Sequence, residues 1–442
     1  MFGDKNQLVN SEPTPSTVVY GVEDTFKVKD SDDLIVVGRM RGTIRKGDAV
    51  YVSNLGDENG STFLTTVKRI EINREVVDEA TDCAAGLLLD NGNKAGTIRP
   101  GTVIHGRNAS SKDVHDAYVG SLGAHYIGFK DLVLTDEDLD RMTVNDMAEI
   151  YQAFRNAKSN LSAKEMEAYK DRIDRLMKTL VQKALALKEV YIVYSSLTGE
   201  PYMFSRTFKD KDGMASVTPP DVMLITQTYY RVMKDSFSTN GYELHKIKND
   251  EDCKGIYNEL GRAFYINGAC GIILNGLSFA IDCNSVVAKP DTTNVPEISV
   301  PVTNPDLVRW FLLMGQFLNV ETEAAKFVYG LYFGFMKREL LKAKFLIPIA
   351  GDLPRGDEAG EAVLEKGSEI ILPVDEGKNG RKTIRAFTDW YRLRKVFDDE
   401  KWGGMIQSLD GMIESYDFSI NVTDHQGEGI YISKDTYDSI RE

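Results

Sequence analysis

Between residues 26 and 52 (FKVKDSDDLIVVGRMRGTIRKGDAVYV) apolar and polar positions alternate, stop at glycines, and alternate again. A period of two is the mark of a half-buried strand. The run LIVV at 34–37 is β-branched and predicts a buried strand. Gly38 is expected to break it, and 39–44 to resume as an edge-like strand that includes Gly42. Lys46-Gly47-Asp48 reads as a turn, because glycine supplies the positive φ that other residues avoid. Further short strands are predicted at 49–53, 63–72, 84–89 and 102–105, with Gly or Pro between them. Short strands at this spacing predict a closed barrel, which leaves no open edge to pair with another chain.

The period then changes. Residues 108–116 read as a polar linker, and 117–188 turn helical. Thr143 and Asp146 start a helix to about 157. Ser162 and Glu165 form a capping box ahead of a longer helix, whose apolar residues from Met166 to Leu187 recur at three and four. Residues 189–287 read as an α+β domain. It has strands at 190–194 and 201–208, a helix over 220–235, a strand at 242–247 and a helix over 250–264. Strands at 271–274 and 278–282 pair across Asn275-Gly276, a hairpin signal. A Pro/Asn/Thr-rich linker (288–305) and two helices (306–319 and 321–343) follow. Residues 345–440 then repeat the earlier order. Strands at 345–349 and 369–374 flank an acidic, Gly-rich loop (352–367). Strand and helix share 384–397, a helix covers 406–416, and strands at 418–422 and 429–432 pair across 424–428. The shared order predicts an internal duplication.

Two of these regions resemble known families. The segment 26–52, then TTVKRIEINREVVDEATDCAAGLLLDN, then IRPGTVIHG, resembles the second domain of elongation factor Tu and related translational GTPases. The match covers residues 19–107, about a fifth of the chain. It departs at 30–33, which is acidic where the family is Gly-rich, and at Thr81-Asp82-Cys83 where the family has Gly-Asp-Asn. The resemblance implies a translation-protein type of β-barrel. The P-loop that accompanies it in the family is missing; 377–383 is the nearest run and has the wrong spacing. GTP binding is therefore not expected. The segments EIILPVDEGKNGRKTIRAFTDWYRLRKVF and DFSINVTDHQGEGIYIS resemble the SseB (enhanced serine sensitivity) family, through Pro373, Ala386, Phe387, Thr388 and Asn421. Residues 422–424 depart from the family's proline. GIILNGLSFAI resembles it more weakly, with Asn275 at the Asn position and Gly276 in place of the proline. This resemblance implies tandem α+β domains with an interaction role and brings no catalytic residue. The expected fold class is multidomain. It comprises a flexible arm (1–18), an all-β barrel (19–107), a helical linker region (108–188), an α+β SseB-like domain (189–287), a linker and helical pair (288–344), and a second such domain (345–442).

Charge narrows the partners. Net charge is −14 over 442 residues, which argues against bulk binding to nucleic acid or anionic lipid. Residues 21–107 hold 12 Lys+Arg and 14 Asp+Glu, so nearly all the excess lies outside the barrel. Arg39, Arg41, Arg45 and Lys46 form its dense basic patch. They would meet RNA phosphate or an acidic partner, or else blunt a solvated edge. Four cysteines without a C-x-x-C pair predict a reducing, cytoplasmic setting, and the polar start predicts no signal peptide. Residues 310–336 are apolar but interrupted by Glu321, Glu323 and Lys326, so no membrane span is expected.

Catalytic and metal signatures are sparse. Cys270 lies in a Gly-flanked NGACG run, with His245 the nearest histidine; it is either a nucleophile or a small buried residue. The five histidines never fall at i, i+3 or i, i+4, so neither a metal nor another cofactor is expected. Asp352, Asp357, Glu358 and Glu361 lack calcium-loop spacing and read as a solvated loop. Tyr329, Tyr332 and Phe333, with Phe335 and Trp310, are either core or a partner surface. The expectation is a non-enzymatic protein-binding or adaptor protein with an unidentified protein partner. The alternative is a translation-associated factor that contacts ribosome or tRNA through the barrel. A thiol enzyme using Cys270 is a remote third.

Overall fold

The computed structural model describes residues 16–28, 34–58, 60–90, 97–128, 133–209, 211, 215–238, 241–295, 300–318, 320–351, 369–377, 380–398, 401–421 and 429–441. They fall into two compact units. One runs up to Tyr191 and adds Ile225–Lys234 and Leu274–Phe279; the other holds Ile192–Leu224, Asp235–Ile273 and the residues from Ala280 onward. The expected arm (all but 16–18), the acidic loop at 352–367 and the turn at 424–428 lie outside the described residues.

The first unit opens with β1 (Val19–Lys27), β2 (Leu34–Arg41), β3 (Thr43–Arg45), β4 (Ala49–Asn54) and β5 (Ser61–Ile72). It continues with β6 (Glu75–Val77), β7 (Glu79–Thr81), β8 (Ala84–Leu89) and β9 (Val103–His105). Six strands close in the order β4-β9-β1-β2-β8-β5, and β5 pairs back to β4. Tyr20, Val36, Val52, Ile70, Leu87 and Ile104 fill the interior. The Tyr20 hydroxyl is satisfied there by hydrogen bonding to the Val36 and Ala85 carbonyls, at 3.0 and 2.8 Å, as a buried phenol requires.

Gly38 does not break β2 but lies inside it. A Cβ at that position would sit 1.9 Å from the Gly21 carbonyl oxygen, so the glycine permits close strand approach beside the β1 bulge at Val22–Asp24. The strand ends at Gly42, whose φ is +86°.

Helices α1 (Ser111–Gly123), α2 (Asp136–Arg141), α3 (Val144–Ala157) and α4 (Ala163–Leu185) follow, and α1 runs on as a π-helical turn, Ala124–Gly128. The expected linker at 108–116 is thus largely helix. Ser110 caps it by accepting from the Asp113 amide, and its buried face (Val114, Tyr118, Ser121, Leu122) is too sparse to show in the pattern. The capping boxes at Thr143–Asp146 and Ser162–Glu165 both form.

Next come β10 (Glu189–Ser195), β11 (Thr207–Lys209), β12 (Ala215–Val217), β13 (Asp221–Ile225), α5 (Gln227–Ser238) and β14 (Tyr242–Lys248). They are followed by α6 (Gly255–Tyr265), β15 (Gly271–Leu274), β16 (Ala280–Asp282) and α7 (Cys283–Val286). The sheet order is β14-β10-β13-β15-β16. The helix expected over 220–235 is strand β13 followed by α5. DVMLI is buried almost throughout, and a short apolar run carries no period that separates strand from helix. The strand expected at 201–208 reduces to single bridges at Pro201 and Phe204 ahead of β11.

Helices α8 (Pro305–Gly315) and α9 (Glu323–Leu340) lead to β17 (Phe345–Gly351), β18 (Ile370–Ile371), β19 (Val374–Glu376) and β20 (Lys382–Ala386). The chain then forms α10 (Trp390–Arg394), β21 (Gly403–Gln407), β22 (Asp417–Ile420), β23 (Ile430–Ile432) and α11 (Lys434–Arg441). The helix expected over 406–416 is the end of β21, paired to β17, plus a 3-10 turn at Leu409–Gly411. Strand β21 flanks β17, a Leu346–Phe387 bridge links β17 to the end of β20, β20 runs parallel to β22, and β22 pairs with β23. The strands thus form two sheets, β18-β17-β21 and β19-β20-β22-β23, joined by that bridge, and β21, β17, β20, β22 and β23 follow one another across them as β14, β10, β13, β15 and β16 do in their single sheet.

Candidate functional site

A groove of about 600 Å³ runs between the barrel and α1 in the first unit. Its walls include Glu23 of β1, Arg39 and Arg41 of β2, and Asp113 and Asp116 of α1, over a floor of Gly21, Ala117, Gly120 and Ser121. Arg39 and Arg41 share a face because β-strand side chains alternate. Their side chains are 82% and 71% exposed.

The patch read from the sequence as basic is locally neutralised. Arg39 Nε lies 3.6 Å from Glu23, Arg41 Nη1 is 3.2 Å from Asp113, and Arg45 Nε is 2.5 Å from Glu79. Burial pushes the Glu23 carboxyl up, against the opposing pull of Arg39 and His125. Ion pairs this exposed contribute about 0–1 kcal/mol, so the arginines can exchange these partners for others at little cost. Within the groove three carboxylates face two guanidinium groups, which makes its field mixed rather than cationic.

Under the barrel, the first turns of α3 bury Asn145, Asp146 and Glu149. Sequence reasoning saw only the cap here. Asp146 accepts from the Tyr118 hydroxyl at 2.9 Å and pairs with Arg99 at 3.0 Å. Glu149 accepts from the Tyr229 hydroxyl and lies 3.7 Å from His115 Nε2. That carboxylate raises the His115 pKa despite the opposing effect of burial. Asn145 Oδ1 accepts from Thr226 Oγ1 and Asn275 Nδ2, both at 2.9 Å. Its amide donates to the Gly56 carbonyl at 3.1 Å.

Thr226 and Asn275 form a corner that recurs. The Thr226 N–H donates to Asn275 Oδ1 at 2.9 Å, and the Thr388 N–H donates to Asn421 Oδ1 at 2.9 Å. Both asparagines end a strand in the left-handed region, at φ 53° and 57°, which Asn tolerates better than most residues. The corners differ in what completes them. The Thr226 hydroxyl donates to Asn145 of α3, whereas the Thr388 hydroxyl donates to its neighbour Asp389 at 2.7 Å.

A second buried hub lies wholly in the other unit. Glu200 accepts from Arg262 at 2.8 Å, Lys395 at 3.1 Å and Asn267 at 3.1 Å, with Arg392 3.8 Å away. Burial pushes the Glu200 carboxyl up, but Arg392, Lys395 and Arg262 together outweigh it and hold it below the usual range. Beside the hub, Tyr194, His245, Glu259, Arg262 and Tyr391 line a concavity of about 540 Å³. The Tyr194 and His245 rings stack at 3.8 Å. Arg262 already bonds Glu200, Glu259 and Tyr194, so the hub is satisfied from within.

Of the remaining sequence candidates, Tyr332 corrects to core. It is 2% exposed and packs against Trp310 and Phe317. Tyr329 and Phe327 reach solvent, and Phe333 is half-buried beneath Lys337. Lys46 caps the β3 end through its backbone amide, which donates to the Asp78 carbonyl. Cys270 is half-buried, and burial pushes its thiol up, away from the thiolate a nucleophile needs. His245 hydrogen-bonds Glu243. Among the described residues no group of three His, Cys, Asp or Glu could hold a metal, and no helix is long and apolar enough to cross a membrane.

No curated protein matches the chain. Among solved structures, the apo form of translation elongation factor SelB from Methanococcus maripaludis is similar at 22% identity and a TM-score of 0.18. The likeness covers 22% of this chain and 20% of that one, so the chain spans about a fifth of that protein's length. The family model of the SseB protein N-terminal domain matches residues 335–403, from the end of α9 to the start of β21.

Proposed function

We propose that the chain is a non-enzymatic protein-binding or adaptor protein. In this reading an elongation-factor-Tu-domain-2-like barrel is joined to two SseB-like domains in tandem. The observation that carries the tandem reading is the repeated Thr–Asn corner, Thr226 with Asn275 and Thr388 with Asn421. The partner is a protein, and GTP is not a ligand. Catalysis is no part of the reading, because the buried polar groups described above satisfy one another. Affinity capture tests it: a protein partner retained through nuclease and high salt supports it, and a substrate turned over through one side chain removes it.

The exposure of Arg39 and Arg41 favours a second reading, a translation-associated factor that touches ribosome or tRNA through the barrel. Arg39, Arg41, Arg45 and Lys46 would then trade their carboxylate partners for phosphate. Binding to tRNA that falls steeply with salt and disappears on reversal of Arg39, Arg41 and Arg45 to Glu supports this surface. Binding that survives the reversal excludes it.

A further inference from the structure

Cys270 and Cys283 flank the hairpin made by β15 and β16. The register pairs Ile273 with Ala280, Ile272 with Ile281 and Gly271 with Asp282. Just beyond the strands, Cys270 precedes β15 and Cys283 opens α7; the Cys283 N–H donates to the Cys270 carbonyl at 2.9 Å, and the Cys270 N–H donates to the Pro220 carbonyl at 2.7 Å. With the first of these bonds made, standard backbone bond lengths hold the two cysteine Cα atoms to less than about 7 Å apart. A disulfide spans Cα separations of roughly 4.4–6.8 Å. Both thiols are reduced and half-buried, and charge on Cys283 acts on Cys270.

We propose that Cys270 and Cys283 are a reversible redox site that closes to an intramolecular disulfide on reaction with a low-molecular-weight disulfide. One protein thiolate attacks the small disulfide, expels one small thiol and leaves a mixed disulfide. The second protein thiolate attacks the protein sulfur of that mixed disulfide and expels the other small thiol. Two protein thiols are oxidised to one S–S bond, and one small disulfide is reduced to two thiols. The residue pairing makes the second step intramolecular, so the mixed disulfide does not accumulate. Burial pushes both thiols above their ordinary value, so the first step quickens as pH rises. Cys253 is exposed and Cys83 belongs to the barrel; they serve as internal references.

The test is to expose the folded full-length chain to oxidised glutathione, quench with acid, digest without reductant and read the linkages by mass spectrometry. The expected product is a peptide pair joined through Cys270 and Cys283, lost on adding dithiothreitol, while Cys253 carries a stable glutathione adduct. In Cys283→Ser, Cys270 retains the glutathione adduct instead of losing it. Separate glutathione adducts on Cys270 and Cys283 in the wild-type chain overturn the proposal. So does a linkage that forms in urea but not in the folded protein. The wild-type readout does not depend on any variant folding.

Discussion

Replacing Glu200 by Gln probes the buried hub with nearly constant volume. Glu200 is 7% exposed and faces three cations. Removing one partner of a buried ion pair costs about 3–5 kcal/mol. Two features of the site hold the cost to the lower end. Arg392 retains Asp389 at 2.7 Å, and Arg262 retains Glu259. Lys395 is 39% exposed, so solvent screens its share. The expected loss is about 3 kcal/mol, roughly a hundredfold in the folded-to-unfolded ratio. Lys395→Met, which removes only the screened partner, should cost less than about 1 kcal/mol. The assay is urea unfolding followed by tryptophan fluorescence. Trp310, Trp390 and Trp402 are the chain's tryptophans and all lie in the second unit, so the signal reports that unit alone. The pH dependence follows from the depressed Glu200 pKa. Its contribution is complete above the unfolded carboxylate value, about 4.3, and is lost as pH falls through the lower folded value. Glu200→Gln should therefore flatten the acid limb of wild-type stability. A Glu200→Gln cost below 1 kcal/mol, or one matched by Lys395→Met, would refute the reasoning.

Tyr332→Ala should cost about 3–5 kcal/mol as a core truncation, whereas exposed Phe327→Ala should cost at most about 1 kcal/mol, the worth of its contact with Lys209; equal losses by the same fluorescence assay would return Tyr332 to the surface. Asn421→Gly should lose about 1–2 kcal/mol with the Thr388 bond, and Asn421→Ala more, because alanine also strains at φ 57°; alanine as the milder variant contradicts the corner. The raised His115 pKa makes its pairing with Glu149 stabilising below about pH 6.5, with that gain lost as pH rises through the folded value; an NMR titration of the His115 ring checks the direction, and Glu149→Gln should bring the value down.

The barrel was legible because its strands alternate and its turns carry glycine, and both capping boxes were legible because their spacing is local. What escaped had a physical reason in each case. Strand β13 is apolar on both faces, so its period vanishes. Gly38 looked like a break because its role, the close approach of Gly21, is made across strands. The α1 start was hidden by a buried face of few residues. The basic patch was visible as residues, but its carboxylate partners are Glu23, Asp113 and Glu79, from 16 to 72 positions away by their numbering. The Thr–Asn corner was half legible, since Thr388, Asn421 and Asn275 stood out while Thr226 and Asn145 did not. Asn145 looks like any polar residue in a first helical turn.

The adaptor reading is tested most directly by quantitative affinity capture from native lysate. Two baits, the wild-type chain and its Arg39→Glu/Arg41→Glu/Arg45→Glu variant, are compared with and without nuclease at low and high salt. The account predicts a discrete protein partner recovered with both baits and indifferent to nuclease. Recovery of ribosomal proteins alone, lost on nuclease, on high salt and with the variant bait, would contradict it and move the function to the barrel's contact with RNA.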